Sequence, residues 1–177
     1  MPKLEPYMPA PAGRASRIFM TLMPVAMGLI CMLLSFVPAG RIFGLPQMPA
    51  FALMAIYYWA VVRPEMFPAY AVFAVGLLSD LLSHGPIGLW AFVYLVTYWV
   101  ILSQRSLVIN AAFSMFWLGF LIIALFAGGF SWIVASVLFG AIVPLKPVMQ
   151  YMLATVAVFP LFAWLFGRIQ RRVNPLS

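Results

Sequence analysis

Apolar runs separated by single charges, prolines and glycines fill residues 18–167. The first run, 18–37, is long enough to cross a hydrocarbon core of about 30 Å at about 1.5 Å per residue. Pro24 near its start predicts a kink. Pro38, Gly40, Pro46 and Pro49 mark the loop that follows. A second run, 49–62, opens on Pro49, a favourable first helical residue, and stops at Arg63-Pro64. It reaches only about 21 Å, a short span. A third helix is expected over 65–83, with Pro68 in its first turn. Gly85 in the left-handed conformation would close it, and Pro86 would open a fourth over 86–103. Gln104-Arg105-Ser106 reads as a polar turn, and a fifth helix is expected over 107–127, broken by Gly128-Gly129. The apolar stretch 130–143 is short for a span and reads as re-entrant or interfacial. The last helix is expected over 148–167.

This pattern predicts an all-α, polytopic membrane protein. Four prolines in residues 1–13 predict a disordered cytoplasmic tail. Residues 14–172 form one membrane domain with six spans, and 173–177 a short cytoplasmic tail. The first run is too long for a signal peptide and lacks a small-residue cleavage site, so it reads as a retained helix. No internal repeat and no second domain is evident.

Composition strengthens the membrane reading: 66% of residues are hydrophobic and 7% charged. A soluble domain is about half apolar and about a quarter charged. The 10 basic residues outnumber the three acidic ones, Glu5, Glu65 and Asp80. The basic residues lie singly between apolar runs, with no stripe suited to nucleic acid. They read instead as topological signals. Lys3, Arg14, Arg17, Arg63, Arg105, Arg168, Arg171 and Arg172 fall on one side, and Arg41 and Lys146 on the other. That split places both termini in the cytoplasm and requires an even number of crossings. Cys31 is the one cysteine, so there is no intrachain disulfide and no CxxC motif.

Candidate chemistry is sparse. Asp80 is the one acidic residue in the interior of a predicted span, Glu65 standing at the first position of the third, and an intramembrane carboxylate is costly unless it has a role. It is read as a lock between the third and fourth helices, its carboxylate facing free amides at the next helix's N-terminus. Proton or ion chemistry is the alternative. His84, four residues on, would share a helical face with it but lacks companions for a metal shell and reads as an interfacial loop residue. Gly76 would permit close helix approach beside Asp80, and Ala124 with Gly128 forms another small-residue pair. Tyr57-Tyr58-Trp59 reads as an interface belt ahead of Arg63. The methionines read as gap-fillers, although Met20, Met23, Met27 and Met32 share the first helix. No GxSxG, HExxH or Gly-rich phosphate loop occurs, and no cofactor or metal is implied.

The stretch Gly76-Leu77-Leu78-Ser79-Asp80, followed by Pro86-Ile87-Gly88, resembles the pattern of the bacterial rod shape-determining MreD family. There a GL-x-x-D stretch in the third helix precedes a glycine opening the next span. Tyr58-Trp59 with Arg63-Pro64 is similar to that family's second span. Length, helix count and basic C-terminal end fit over the whole chain. The resemblance implies a non-enzymatic scaffold subunit of the cell-wall elongation machinery in the inner membrane. It would bind the bitopic protein MreC and work with RodA, an elongation transpeptidase and the cytoplasmic actin-like MreB. It also implies a compact six-helix bundle like the substrate-binding subunits of vitamin transporters; a vitamin-binding subunit is the alternative function. Trp59, Arg63, Arg105, Arg168, Arg171 and Arg172 are the expected partner or lipid contacts, with topology alone as the other reading of the arginines.

Overall fold

The computed structural model describes residues 14–37, 49–83, 85–109, 112–142 and 144–173, with side chains between residues 23 and 168. The expected N-terminal tail, His84, Arg41 and the last four residues lie outside this set. The described residues form six α-helices and no strand: α1 (Arg14–Ser35), α2 (Phe51–Val62), α3 (Ala69–Ser83), α4 (Leu89–Val108), α5 (Phe113–Phe139) and α6 (Leu145–Val173). A 3₁₀ turn, Pro64–Met66, joins α2 to α3. By length and composition, Leu89–Val108, Phe113–Phe139 and Leu145–Arg168 can each cross a membrane. Met23–Ser35, Phe51–Val62 and Ala69–Ser83 are shorter apolar helices.

The short α2 is the centre of the bundle. It is apolar all round, the mark of a helix with no solvent face, and residues 52–61 are all buried. It packs against α1, α4, α5 and α6, while α3 packs on α4 and α1. Arg63 ends it in an extended conformation (φ −148°), as the following Pro64 demands. Tyr57 lies in an aromatic seam. Its ring meets Phe116, Phe120 and Phe159 at centroid distances of 5.2–5.6 Å, and its hydroxyl donates to the Phe116 carbonyl at 2.9 Å. Tyr58 and Trp59 make edge contacts with Phe166 on α6. The expected interface belt is therefore a core seam, because α2 is enclosed on every side.

Several boundaries differ from the sequence expectation: α1 starts at Arg14, and α3 starts at Ala69, with Glu65 in the 3₁₀ turn and Pro68 ahead of the helix. Gln104-Arg105-Ser106 is helical, part of the last turns of α4, not a turn. Chain reversal comes after Val108. Gly128-Gly129 does not break the chain either: α5 runs through it as one 27-residue helix. Residues 130–139 therefore continue α5 and are not a separate re-entrant segment. A break at this depth would leave backbone amides unpaired in hydrocarbon, a larger cost than glycine's helical entropy. Finally, α6 begins at Leu145, where Pro147 in the first turn removes an amide that lacks an intrahelical partner anyway. Pro160 sits inside α6. The Val156 carbonyl four residues earlier, which Pro160 cannot serve, accepts a hydrogen bond from the Trp117 indole at 3.3 Å.

The two glycines serve packing unequally. A Cβ on Gly128 would lie 2.7 Å from Met152 Cγ, whereas one on Gly129 meets nothing within 4 Å. Both line an outward-facing apolar groove of about 220 Å³ between α5 and α6. Gly129→Ala should hold or raise the melting temperature in detergent, because alanine is worth up to about 1 kcal/mol over glycine inside a helix. Gly128→Ala should lower it by displacing Met152. A clear drop for Gly129→Ala would mean that the chain breaks there.

Candidate functional site

Asp80 lies near the end of α3 and is 1% exposed. Gly88, at the N-cap of α4, has a left-handed backbone (φ 99°) and no side chain to cap the helix itself. Asp80 does so from the neighbouring helix. Its Oδ2 accepts from the Gly88 amide at 2.9 Å and the Ala91 amide at 3.2 Å, and its Oδ1 from the Trp90 amide at 2.8 Å. These are donors that a helix N-terminus leaves without intrahelical partners, and a negative charge there also suits the helix dipole.

Gly76 sets the approach. It lies one turn before Asp80 on the same face of α3. A Cβ there would collide with the Ala91 Cα, and would sit 2.8 Å from the Ala91 nitrogen and 2.9 Å from the Trp90 carbonyl oxygen. All three are backbone atoms of the first turn of α4. Only glycine lets that turn approach α3 closely enough for the carboxylate to reach the amides. Leu77 is half-buried beside it, and Ser79, also buried, donates to the Val75 carbonyl at 2.8 Å. Ser83 donates to the Asp80 carbonyl at 3.1 Å.

The turn differs from expectation in detail. Gly85 is an exposed bend, and the left-handed residue is Gly88. Pro86 precedes the helix without starting it, and α4 begins at Leu89. Asp80 caps the second helix's start, so the conformational demand for glycine moves to that start.

The proposed contact residues separate. Trp59 is 3% exposed and belongs to the core, so it is no surface contact. Arg105 Nε donates to the Val61 carbonyl at 2.8 Å, holding the C-terminal end of α2. Arg63 is half-buried just past that end. Arg168 is exposed and lies 5.2 Å from the centroid of the Trp164 ring, a cation–π distance. Arg171 and Arg172 are on α6, with side chains outside the described set.

Other polar contacts carried no legible sequence signal. Thr155 on α6 accepts from the Ala50 amide at 2.9 Å, at the N-terminal end of α2. The Tyr98 hydroxyl donates to the Phe67 carbonyl at 2.9 Å, between the 3₁₀ turn and α3. Among the described residues, no group of three His, Cys, Asp or Glu side chains is placed to hold a metal.

No curated protein and no solved structure matches this chain. The family described as rod shape-determining protein MreD matches it over residues 14–172. That stretch contains all but the last residue of the helical bundle and the whole Gly76–Asp80–Gly88 hairpin, and on it the chain belongs to the rod shape-determining protein MreD family.

Proposed function

We propose that this protein is a non-enzymatic scaffold of the cell-wall elongation complex in the bacterial inner membrane, holding the transmembrane helix of MreC against its bundle. The observation that carries the reading is the state of Asp80. Among the described residues it is the one acidic residue inside an α-helix, and its carboxylate accepts hydrogen bonds from three backbone amides of its own fold. Such a group is a lock, not a proton carrier. Six crossings with both termini cytoplasmic fit the basic asymmetry, because α5 is a single helix and the described residues form an even number of α-helices. RodA and the transpeptidase would lie alongside in the membrane. MreB would meet the cytoplasmic edge, where Arg168 and the neighbouring α6 arginines lie. Those arginines would also attract anionic lipid.

The lock has a direct test. Hydrogen bonds to charged groups are worth about 1.5–3 kcal/mol each, and an unsatisfied buried donor costs about 1–3 kcal/mol. Asp80→Leu, which orphans three amides, should therefore abolish accumulation of folded protein. Asp80→Asn keeps an acceptor and should show a smaller loss of thermal stability. Function abolished in Asp80→Asn at unchanged protein level and stability would show that the charge itself acts.

Depletion from the native host should give rounded or lysing cells, and a tagged copy purified from membranes should carry MreC. Cells that keep their shape but lose uptake of a vitamin would overturn the scaffold reading. Fluorescent-protein and phosphatase fusions at Ser177 should report a cytoplasmic end; phosphatase activity there would refute the even crossing count.

A further inference from the structure

Between α5 and α6 the bundle carries an opening that its own side chains do not fill. The groove there, about 220 Å³ and lined by apolar residues, runs between Leu121, Leu125 and Gly129 on α5 and Met149, Leu153 and Val156 on α6. Leu125, Met149 and Leu153 are exposed. Gly129 opens the floor. A Cβ there would meet nothing within 4 Å, so no contact inside the fold calls for glycine, which is a weaker helix former than alanine. The room it leaves faces outward.

Polar groups flank one end of this groove. Lys146 is the one charged residue between Arg105 and Arg168. Gln150 follows it by one turn and Leu153 by two, so the three lie along one strip of α6. Leu153 is a wall of the groove, and Lys146 and Gln150 are both exposed. The strip thus passes from cation to amide to apolar wall. A phospholipid presents phosphate, ester carbonyl and acyl chain in the same order. The depth agrees. Leu145 and Val156 both line the groove, and the rise between them is about 16 Å, against about 15 Å for one leaflet of a core of about 30 Å. Gly128 stands against Met152. In this antiparallel hairpin, Trp132 is one turn further along α5 and therefore level with Val148, at the Lys146 end, where an interfacial tryptophan belongs.

We infer that this groove holds one acyl chain of a phospholipid, with the phosphate at Lys146 and an ester carbonyl accepting from the Gln150 amide. On the six-crossing reading Lys146 is outside, which makes this a lipid of the outer leaflet. The binding itself requires only that α5 and α6 lie in the bilayer, and does not depend on the scaffold reading. Besides the charge of Lys146, two observations favour lipid over the helix of a partner or of a second copy. Close helix association in lipid rests on small residues repeated along a face. Here Gly129 stands alone: Leu125 and Ile133, one turn to either side, are bulky and 61% and 53% exposed. A helix is also about 10–12 Å across, too broad to enter a groove of about 220 Å³ that extends along about 16 Å of rise. A single acyl chain is slim enough to enter, and the flexible side chains of Met149 and Met152 can adjust around it.

The test uses the purified full chain in maltoside micelles and phosphatidylglycerol bearing a diazirine midway along one acyl chain. After irradiation, adducts are mapped by mass spectrometry of proteolytic peptides. They should saturate with added lipid and fall on 121–129 of α5 and 149–156 of α6. Lys146→Gln should raise the lipid concentration at half-saturation about fivefold. Diacylglycerol with the same photoactive chain lacks the phosphate and should label the groove more weakly than phosphatidylglycerol. Gly129→Leu, which fills the floor, should remove the groove adducts. Lys146 is exposed, so its variant carries the test whatever Gly129→Leu does to folding. Arg168→Gln, at the far end of α6, should leave the adducts unchanged. Adducts spread without saturation over exposed positions such as Phe73, Leu81 and Trp99 would show an ordinary lipid annulus and overturn the inference. So would half-saturation unmoved by Lys146→Gln, or equal labelling by diacylglycerol. Groove adducts that form in micelles but not in native membranes would show a helix as the occupant and overturn it as well. The fusions at Ser177 report separately on the leaflet, so the six-crossing reading can fail while the site stands.

Discussion

Inside a bilayer, every backbone amide and carbonyl that a helix leaves unpaired needs another partner, and this requirement decides where the few polar side chains stand. The central α2 has only 12 residues, about 18 Å, so both its ends fall within the thickness of the bundle. Thr155 meets its N-terminal end and Arg105 its C-terminal carbonyl. Asp80 serves the start of α4, and Tyr98 the Phe67 carbonyl in the link before α3. Trp117 serves the carbonyl that Pro160 leaves open. Each of these side chains sits on a helix other than the one it completes. The bundle is thus cross-linked by its backbone requirements, in a solvent where apolar contact gives helices little reason to associate.

The hairpin shows how such a constraint becomes a sequence motif. A cap supplied by its own helix needs Asp, Asn, Ser or Thr at the N-cap. Here that position is Gly88, whose φ of 99° suits glycine. The cap then has to come from outside, and α3 supplies it only if the two backbones nearly touch. Gly76 allows the approach, and Asp80, one turn on, occupies the point where the amides emerge. Exchanging any one of the three removes the geometric reason for the other two. The spacing of GL-x-x-D and the later glycine is a statement about one interhelical contact, with no need of substrate chemistry to account for it.

Several of these features were legible in the sequence because they are local. Arg63-Pro64 sets the end of α2 through the steric demand of proline on its predecessor. Asp80 is marked in the sequence because it is charged and surrounded by apolar residues, with a helix N-terminus expected within a few positions. The misreadings share one cause. The expectations for Gly128-Gly129, Gln104-Arg105 and Trp59 follow rules that hold where water can satisfy an interrupted backbone or solvate a polar end. In the bundle, a helix at Gly128-Gly129 keeps its amides paired, Arg105 finds a carbonyl on α2, and Trp59 is enclosed. The service of Trp117 to Val156 could not be read at all, since it depends on a register between α5 and α6 that neither segment encodes alone.

The same allocation bears on what the protein can do. Asp80, Arg105 and Thr155 are each fixed by backbone groups of their own chain, so recruiting one for transport would leave a helix end open. Among the described residues two buried polar atoms have no partner, Trp59 Nε1 and Thr97 Oγ1. Each is an isolated group on the helix it belongs to, and neither carries a charge at neutral pH. What remains available to other molecules is shape: the faces of α3, α5 and α6, the groove floored by Gly128 and Gly129, and the Trp164–Arg168 edge. On the scaffold reading proposed above, a bundle built this way would meet a partner helix through the contour of that apolar surface, by close packing and few hydrogen bonds.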